Sequence, residues 1–295
     1  MKRLSIIIVT YNSERDIFDC VASIKQWADI PLDEIELIVV DNSSDAPEPM
    51  FERLRQMWRD VIIIENNRNG GYGQGNNLGI QRSTAPLILI MNPDVRLYEP
   101  IFQKALAHFE RDQRLGMLGM AQMLTETERG GKSFSPTWLM NGYLHVILYA
   151  VCNRRYWYIP SCMYIQGSCF FLRKSMFAEV GMFDAENFMY CEEEDIHYRM
   201  KQRFGSRCFG FDKTLHYIHL TMGREPSFEY EKRLLLTDMK LYEKKGISPR
   251  LIAKRYLQTN RLLLWRESLK SKDSATYKVL ETFDKFIREL LQEKK

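Results

Sequence analysis

Three short polar clusters each follow an apolar run: Thr10-Tyr11-Asn12 after residues 4–9, Asp41-Asn42-Ser43 after residues 35–40, and Asn92-Pro93-Asp94 after residues 87–91. Runs of that length suit strands buried on both faces of a parallel sheet. Such sheets bind ligands beyond the carboxyl ends of their strands. Pro93 fixes its own φ and holds Asn92 extended, so a stiff turn presents Asp94. A carboxylate so placed suits a divalent cation that also holds a phosphate. Asp41 can accept from a base N–H or a ribose hydroxyl, and the Tyr11 ring can pack on a base. Each cluster alone could equally be a turn or a helix cap. Three of them facing one crevice are a stronger sign of a site.

Two further stretches carry chemistry. Residues 69–80 (NGGYGQGNNLGI) hold five glycines and read as a loop feeding a short helix, where backbone N–H groups can meet phosphate or ribose. The spacing is not G-x-G-x-x-G and no P-loop Lys-Ser/Thr follows, which disfavours a dinucleotide oxidoreductase. The run Cys191-Glu192-Glu193-Glu194-Asp195 opens a helix. Acids there suit the helix dipole, and Asp195 can pair with Arg199 four residues on. Crowded carboxyls also raise one another's pKa, as a general base needs. His216 or His219 could complete a cation's shell beside Asp94.

These groups need a frame. Strands are expected at 4–9, 35–40, 61–64, 87–91, 115–120, 164–172 and 207–211, the last with both histidines just beyond it. Helical spacing covers about 13–27, 48–58, 100–111, 143–151, 174–180 and 193–204, with 121–161 otherwise irregular. Alternating strands and helices predict βαβ units and a parallel sheet with right-handed crossovers. From about Ser227 the chain is helical, in three pieces broken near 246–249 and 271–274.

The chain has 295 residues, 45% hydrophobic and 27% charged, as expected of a globular protein. Its net charge of +4 is uneven: residues 224–295 hold 18 Lys and Arg against 11 Asp and Glu, so the body before them is slightly acidic. A basic tail suggests an anionic partner or a solvated helical face. The six cysteines show no C-x-x-C pair, which points to free thiols in a reducing compartment and away from zinc. The amino terminus reads as a first strand, too short in apolar length for a signal peptide. No run reaches the roughly 18 apolar residues of a membrane span. A cytoplasmic protein, soluble or peripheral on the inner face of the plasma membrane, is expected.

In order and spacing these motifs resemble the GT-A glycosyltransferases of family 2, and within them the bacterial rhamnosyltransferases and galactofuranosyltransferases of cell-surface polysaccharides. The resemblance covers about residues 4–220. It rests on residues 6–12 (IIIVTYN), 39–45 (VVDNSSD), 69–79 (NGGYGQGNNLG), 91–95 (MNPDV), 167–173 (GSCFFLR), 180–184 (VGMFD) and 190–199 (YCEEEDIHYR). It implies an α/β fold of the GT-A type, Rossmann-like with a mostly parallel sheet flanked by helices, over residues 1–223. Residues 224–295 would be a helical extension on the acceptor side, at a membrane surface or at an oligomer contact.

By the same resemblance Thr10, Tyr11, Asn12 and Asp41 hold base and ribose, while Asn69, Gly70, Gly73, Asn76, Asn77 and Asn92 line the rest of the nucleotide-sugar site. Asp94 ligates Mg²⁺ or Mn²⁺ as the second acid of a D-x-D motif whose first acid is Asn92 here. His219 matches a metal-binding histidine, with His216 the alternative. Glu193 matches the catalytic base, which the family usually supplies as Asp, and Glu192, Glu194 and Asp195 stay open for that role. The implied reaction is inverting sugar transfer from a dTDP- or UDP-sugar, with rhamnose favoured, to a glycan or lipid-linked glycan. A homodimer and contact of the tail near Trp265 with anionic lipid are open, and no nucleic acid partner is implied. The rival readings are a sugar-phosphate nucleotidyltransferase, which should carry a Gly-rich basic loop after strand one, and a non-catalytic assembly subunit, which should bind no nucleotide.

Overall fold

A computed structural model of the chain describes residues 1–130, 132–220 and 226–293. Its strands are β1 (Leu4–Thr10), β2 (Ile35–Asp41), β3 (Ile62–Glu65), β4 (Leu87–Met91), β5 (Val95–Arg96), β6 (Met117–Met123), β7 (Phe134–Pro136), β8 (Met163–Ile165), β9 (Cys169–Arg173) and β10 (Phe209–His219). Its helices are α1 (Ile17–Gln26), α2 (Glu48–Met57), α3 (Gly71–Arg82), α4 (Phe102–Arg111), α5 (Gly142–Arg155), α6 (Lys174–Glu179), α7 (Glu192–Phe204), α8 (Phe228–Lys244), α9 (Pro249–Ser268) and α10 (Ala275–Glu293). Contacts divide the chain into two units, one of Met1–Phe134 with Tyr158–Thr221 and one of Ser135–Trp157 with Met222–Lys295.

The first unit is an α/β fold around an eight-stranded sheet in the order β3-β2-β1-β4-β9-β6-β10-β5. Strands β3, β2, β1 and β4 pair in parallel and are mostly Ile, Leu and Val, interrupted at Ser5 and Glu36, because helices cover both faces. The register sets Thr10 opposite Asp41 and Asp41 opposite Glu65, so the polar residues that end these strands line one sheet edge. One apolar layer gathers Ile6, Ile8, Phe51, Leu89, Phe102 and Phe171, and the other Ile7, Val40, Ile90, Phe170, Ile196 and Met200.

The sheet is mostly parallel as expected, with β9 antiparallel to both β4 and β6 and β5 antiparallel to β10. Three expectations are corrected. The stretch expected as one strand over 164–172 breaks at 166–168 into β8 and β9. The last strand begins at Phe209 and runs on through His216 to His219. The glycine stretch is a loop only to Gly70: from Gly71 it is helix α3. Its glycines permit close packing, since a Cβ on Gly79 would lie 2.5 Å from Ile7 Cγ2 and one on Gly75 2.7 Å from Val9 Cγ1. Burial against the sheet outweighs the low helix propensity of glycine.

The second unit is helical. Helices α8, α9 and α10 bury Leu235, Tyr242, Ile252, Tyr256, Phe283 and Ile287, and Trp138 stacks on Tyr256 with ring centres 3.9 Å apart. Helix α5 belongs to this unit: Thr259 Oγ1 of α9 donates to the Gly142 carbonyl at 2.9 Å. Caps fix the helix starts, with Asn141 accepting from Tyr143 N–H, Ser227 from Tyr230 N–H, and Pro249 opening α9.

Candidate active site

Strand β5 has two residues, and its pairing with β10 sets Val95 opposite His219 and Arg96 opposite Ile218. The Leu220 N–H donates to the Asp94 carbonyl at 3.1 Å, extending the clasp by one residue. His219 Nε2 thereby lies 3.2 Å from Asp94 Oδ2. Strand alternation sends Tyr217 and His219 to one face and His216 to the other. His216 is engaged there by Glu99, whose Oε1 accepts its N–H at 2.8 Å and lies 2.8 Å from its Nδ1. The histidine against Asp94 is therefore His219. Arg96 donates to the carbonyls of Pro93 and Val95 at 2.8 and 2.9 Å, stiffening the turn.

The break between β8 and β9 is the joint of the site. Asn92 N–H donates to the Ser168 carbonyl at 2.8 Å, and Ser168 Oγ lies 2.8 Å from the Tyr217 hydroxyl. On the other side the Tyr72 hydroxyl, from α3, donates to the Gly167 carbonyl. The Gly167 backbone also hydrogen-bonds the Glu193 carboxylate. A Cβ on Gly167 would overlap Glu193 Oε1, so any other residue there displaces that carboxylate. Two consecutive residues thus connect the Asp94 turn, the glycine helix and the acidic start of α7.

Glu192 is buried, and its Oε1 has no hydrogen-bond partner. Burial, and then the charge of Glu193, push its carboxyl up to about 8. Burial raises Glu193 as well, opposed by hydrogen bonds from its own backbone and from Gly167. Carboxyls so placed titrate as a pair and hold a proton into the neutral range. Tyr72 is held well above its ordinary value by burial, with the charges of Glu193 and Glu192 adding. Asp195 is committed elsewhere: its Oδ2 takes Arg199 Nε at 2.8 Å, and Arg199 donates on to the Val180 carbonyl at 2.5 Å. Glu194 is buried.

At the other end of the sheet edge, Asp41 is buried and accepts from Thr10 Oγ1 at 3.0 Å, Ser44 Oγ at 2.5 Å and Ser44 N–H at 2.8 Å. Thr10 is itself fully buried, so it orients Asp41 and does not face solvent. Tyr11 is half-exposed. Asn12, at φ 49°, exchanges hydrogen bonds with Asp45. Asn69 Oδ1 accepts from Gly71 N–H, and Gly70 caps α3. Gly73 leaves room for Phe183 and Glu192, whose Cβ and Cγ would lie 3.0 and 3.6 Å from a Cβ there. Asn76 is buried with its Oδ1 unpartnered. Asn77 grips both backbone groups of Phe183, at 2.8 and 3.0 Å, and so ties α3 to the 180–184 turn. Tyr72, Ser168, Tyr217 and Glu99 escaped the sequence reading. The strand period through 217 and 219 could have found Tyr217.

Among the described residues no group of three or more His, Cys, Asp and Glu is arranged around one ion position. Asp94 and His219 are a two-ligand pair, one hard oxygen and one imidazole nitrogen, and they fit Mg²⁺ or Mn²⁺ whose other positions are filled by ligand oxygens and water.

Residues 5–181 match the family described as Glycosyl transferase family 2. A low-salt glycan biosynthesis hexosyltransferase of Haloferax volcanii is 29% identical over 206 residues, 68% of this chain and 62% of the relative. The chain thus spans less than two thirds of that relative's length. An N-acetylglucosaminyl-diphospho-decaprenol L-rhamnosyltransferase of Mycobacterium tuberculosis is 25% identical, covering 76% of this chain and 79% of the relative. Among solved structures, the mannosyltransferase PcManGT from Pyrobaculum calidifontis, in complex with GDP-Man and Mn²⁺, has a TM-score of 0.63 at 13% identity, over 97% of this chain and 85% of that one. A Staphylococcus aureus TarS fragment with UDP has a TM-score of 0.55 at 16% identity, over 92% and 73%.

Proposed function

Because this chain belongs to glycosyl transferase family 2, and is a glycosyltransferase, we propose that it moves a hexosyl or deoxyhexosyl group, rhamnose first among them, with inversion. The donor is a dTDP- or UDP-sugar, and the acceptor a glycan or lipid-linked glycan of a bacterial surface polysaccharide such as O-antigen or capsule. The observation that supports this best is the joint at Gly167 and Ser168, which bonds to the Asp94 turn, to Tyr72 of the glycine helix and to Glu193.

In the proposed mechanism Glu193 takes the proton of an acceptor hydroxyl while that oxygen attacks the anomeric carbon from the side opposite the diphosphate. The bond from that carbon to the diphosphate oxygen breaks, and its electron pair leaves with the nucleoside diphosphate. Burial keeps Glu193 basic, and Gly167 aims its carboxylate. Tyr11 packs on the base, Asp41 accepts from base or ribose through its remaining lone pair, and the N–H groups at the start of α3 meet ribose or diphosphate. Asp94 and His219 would hold Mg²⁺ or Mn²⁺, which when bound supplies positive charge to the departing diphosphate. Residues 1–223 carry donor binding and catalysis in this assignment, and 224–295 the acceptor side. Among the described residues no helix is long and apolar enough to cross a membrane, and a cytoplasmic, peripheral site of action is part of the proposal.

The test is a panel of dTDP-, UDP- and GDP-sugars scored for hydrolysis with Mn²⁺, Mg²⁺ or chelator. Hydrolysis of one dTDP- or UDP-sugar that chelator abolishes is expected. Metal-independent turnover, or no binding of any nucleotide by thermal shift with either cation, overturns it.

A further inference from the structure

Helix α5 carries its polar side chains inward and its apolar ones outward. His145 and Asn153 are buried, and His145 stacks on Trp138 with ring centres 4.1 Å apart. The outward positions between residues 143 and 151 are Tyr143, Leu144, Ile147, Ala150 and Val151, none of them charged. The four larger ones are 41–53% exposed. Leu139 before the helix and Trp157 after it are exposed to the same degree. A helix facing water has the reverse arrangement.

Charge selects the occupant. No Asp or Glu occurs between Glu128 and Glu179. The apolar face ends in Arg154 and Arg155, both exposed, and the Arg155 guanidinium sits 4.8 Å from the Trp157 ring centre. An apolar face with Trp and Tyr at its ends and a basic terminus is the pattern of a helix lying in the headgroup layer of an anionic bilayer. A second copy of the chain fits less well: six half-exposed side chains fall short of the about 800 Å² per partner that a stable interface buries.

We propose that the outward face of α5, with Leu139 and Trp157, docks on the surface of an anionic membrane. The proposal is independent of which donor or metal the reaction uses. It is tested by flotation of the full chain with vesicles of phosphatidylcholine and phosphatidylglycerol, against vesicles of phosphatidylcholine alone. The protein should float with the anionic vesicles, less so with neutral ones and less in high salt. Ile147→Glu with Val151→Glu should cut the bound fraction at least tenfold. Both sites are exposed, so an unchanged melting temperature separates lost docking from lost folding. Trp265→Ala, on exposed α9 surface, should leave binding intact. Failure to float, or flotation indifferent to the double substitution, overturns the proposal. So does a concentration-dependent dimer that the double substitution abolishes without any vesicle binding, which would assign the face to self-association.

Discussion

The Tyr72 hydroxyl donates to the Gly167 carbonyl, and the same residue's backbone hydrogen-bonds Glu193, so a phenol on the glycine helix holds the peptide that aims the acidic helix. Tyr72→Phe removes that donor and leaves a buried acceptor unmet, at a cost of about 1–3 kcal/mol. The expected result is a several-fold fall in kcat with the donor KM nearly unchanged, read from initial rates. A change in KM alone would show that Tyr72 serves donor binding.

Glu193→Gln should lower kcat by about 10²–10⁴-fold while donor binding persists, because only proton removal from the acceptor is lost. Calorimetry with the nucleoside diphosphate separates the two. Turnover near the unsubstituted level would remove Glu193 from its role.

Asp94→Asn should abolish the metal-dependent part of nucleotide affinity, and His219→Ala should weaken it about 10-fold or more. His216→Ala should spare it, since His216 is held by Glu99. Mn²⁺ titration in the presence of UDP or dTDP reads all three. Equal effects of the two histidine substitutions would contradict the division drawn between them.

Glu192 makes stability depend on pH. Unfolded, it ionises near its ordinary 4.5; folded, it keeps its proton to about 8. Between those values the folded chain binds the extra proton, so stability is full below the lower value and falls as pH rises toward the upper one, by at most about 1.4 kcal/mol per unit. Glu192→Gln should flatten this slope and raise the melting temperature at alkaline pH more than at acidic pH. Melting curves across the window decide it.

His145 acts in the opposite direction. Burial lowers it from 6.5 to about 4, so the folded chain refuses a proton that the unfolded chain accepts. Stability from this group is present above 6.5 and falls as pH drops toward 4. His145→Phe, which keeps the stack on Trp138, should blunt the acid loss in melts of the full chain.

The legible parts of the fold were those where local pattern and burial agree. Strand β4 was expected and is found at residues 87–91, because a continuous apolar run bounded by prolines admits few alternatives. Helix α3 was not legible past its glycines: what makes it a helix is the close approach to Ile7 and Val9, a tertiary fact. Gly71 marks its start at φ 83°, where a Cβ would overlap the Phe188 carbonyl, and no propensity scale contains Phe188. The apolar pattern of β10 lapses at Asp212-Lys213-Thr214, where the strand is irregular, so the linear pattern alone ends the strand before the two histidines. Thr10 and Asn77 were expected only as polar residues lining a ligand site; their engagement with Asp41 and Phe183 depends on register and helix docking that the linear order does not display.

The clasp between β5 and β10 joins residues 125 positions apart. Closing so long a loop costs chain entropy before any contact repays it, so this pairing belongs among the late events of folding. On a ribosome adding about 5–20 residues per second, Asp94 emerges many seconds before its histidine is made. A nascent chain can therefore complete the parallel half of the sheet while Asp94 still waits for His219.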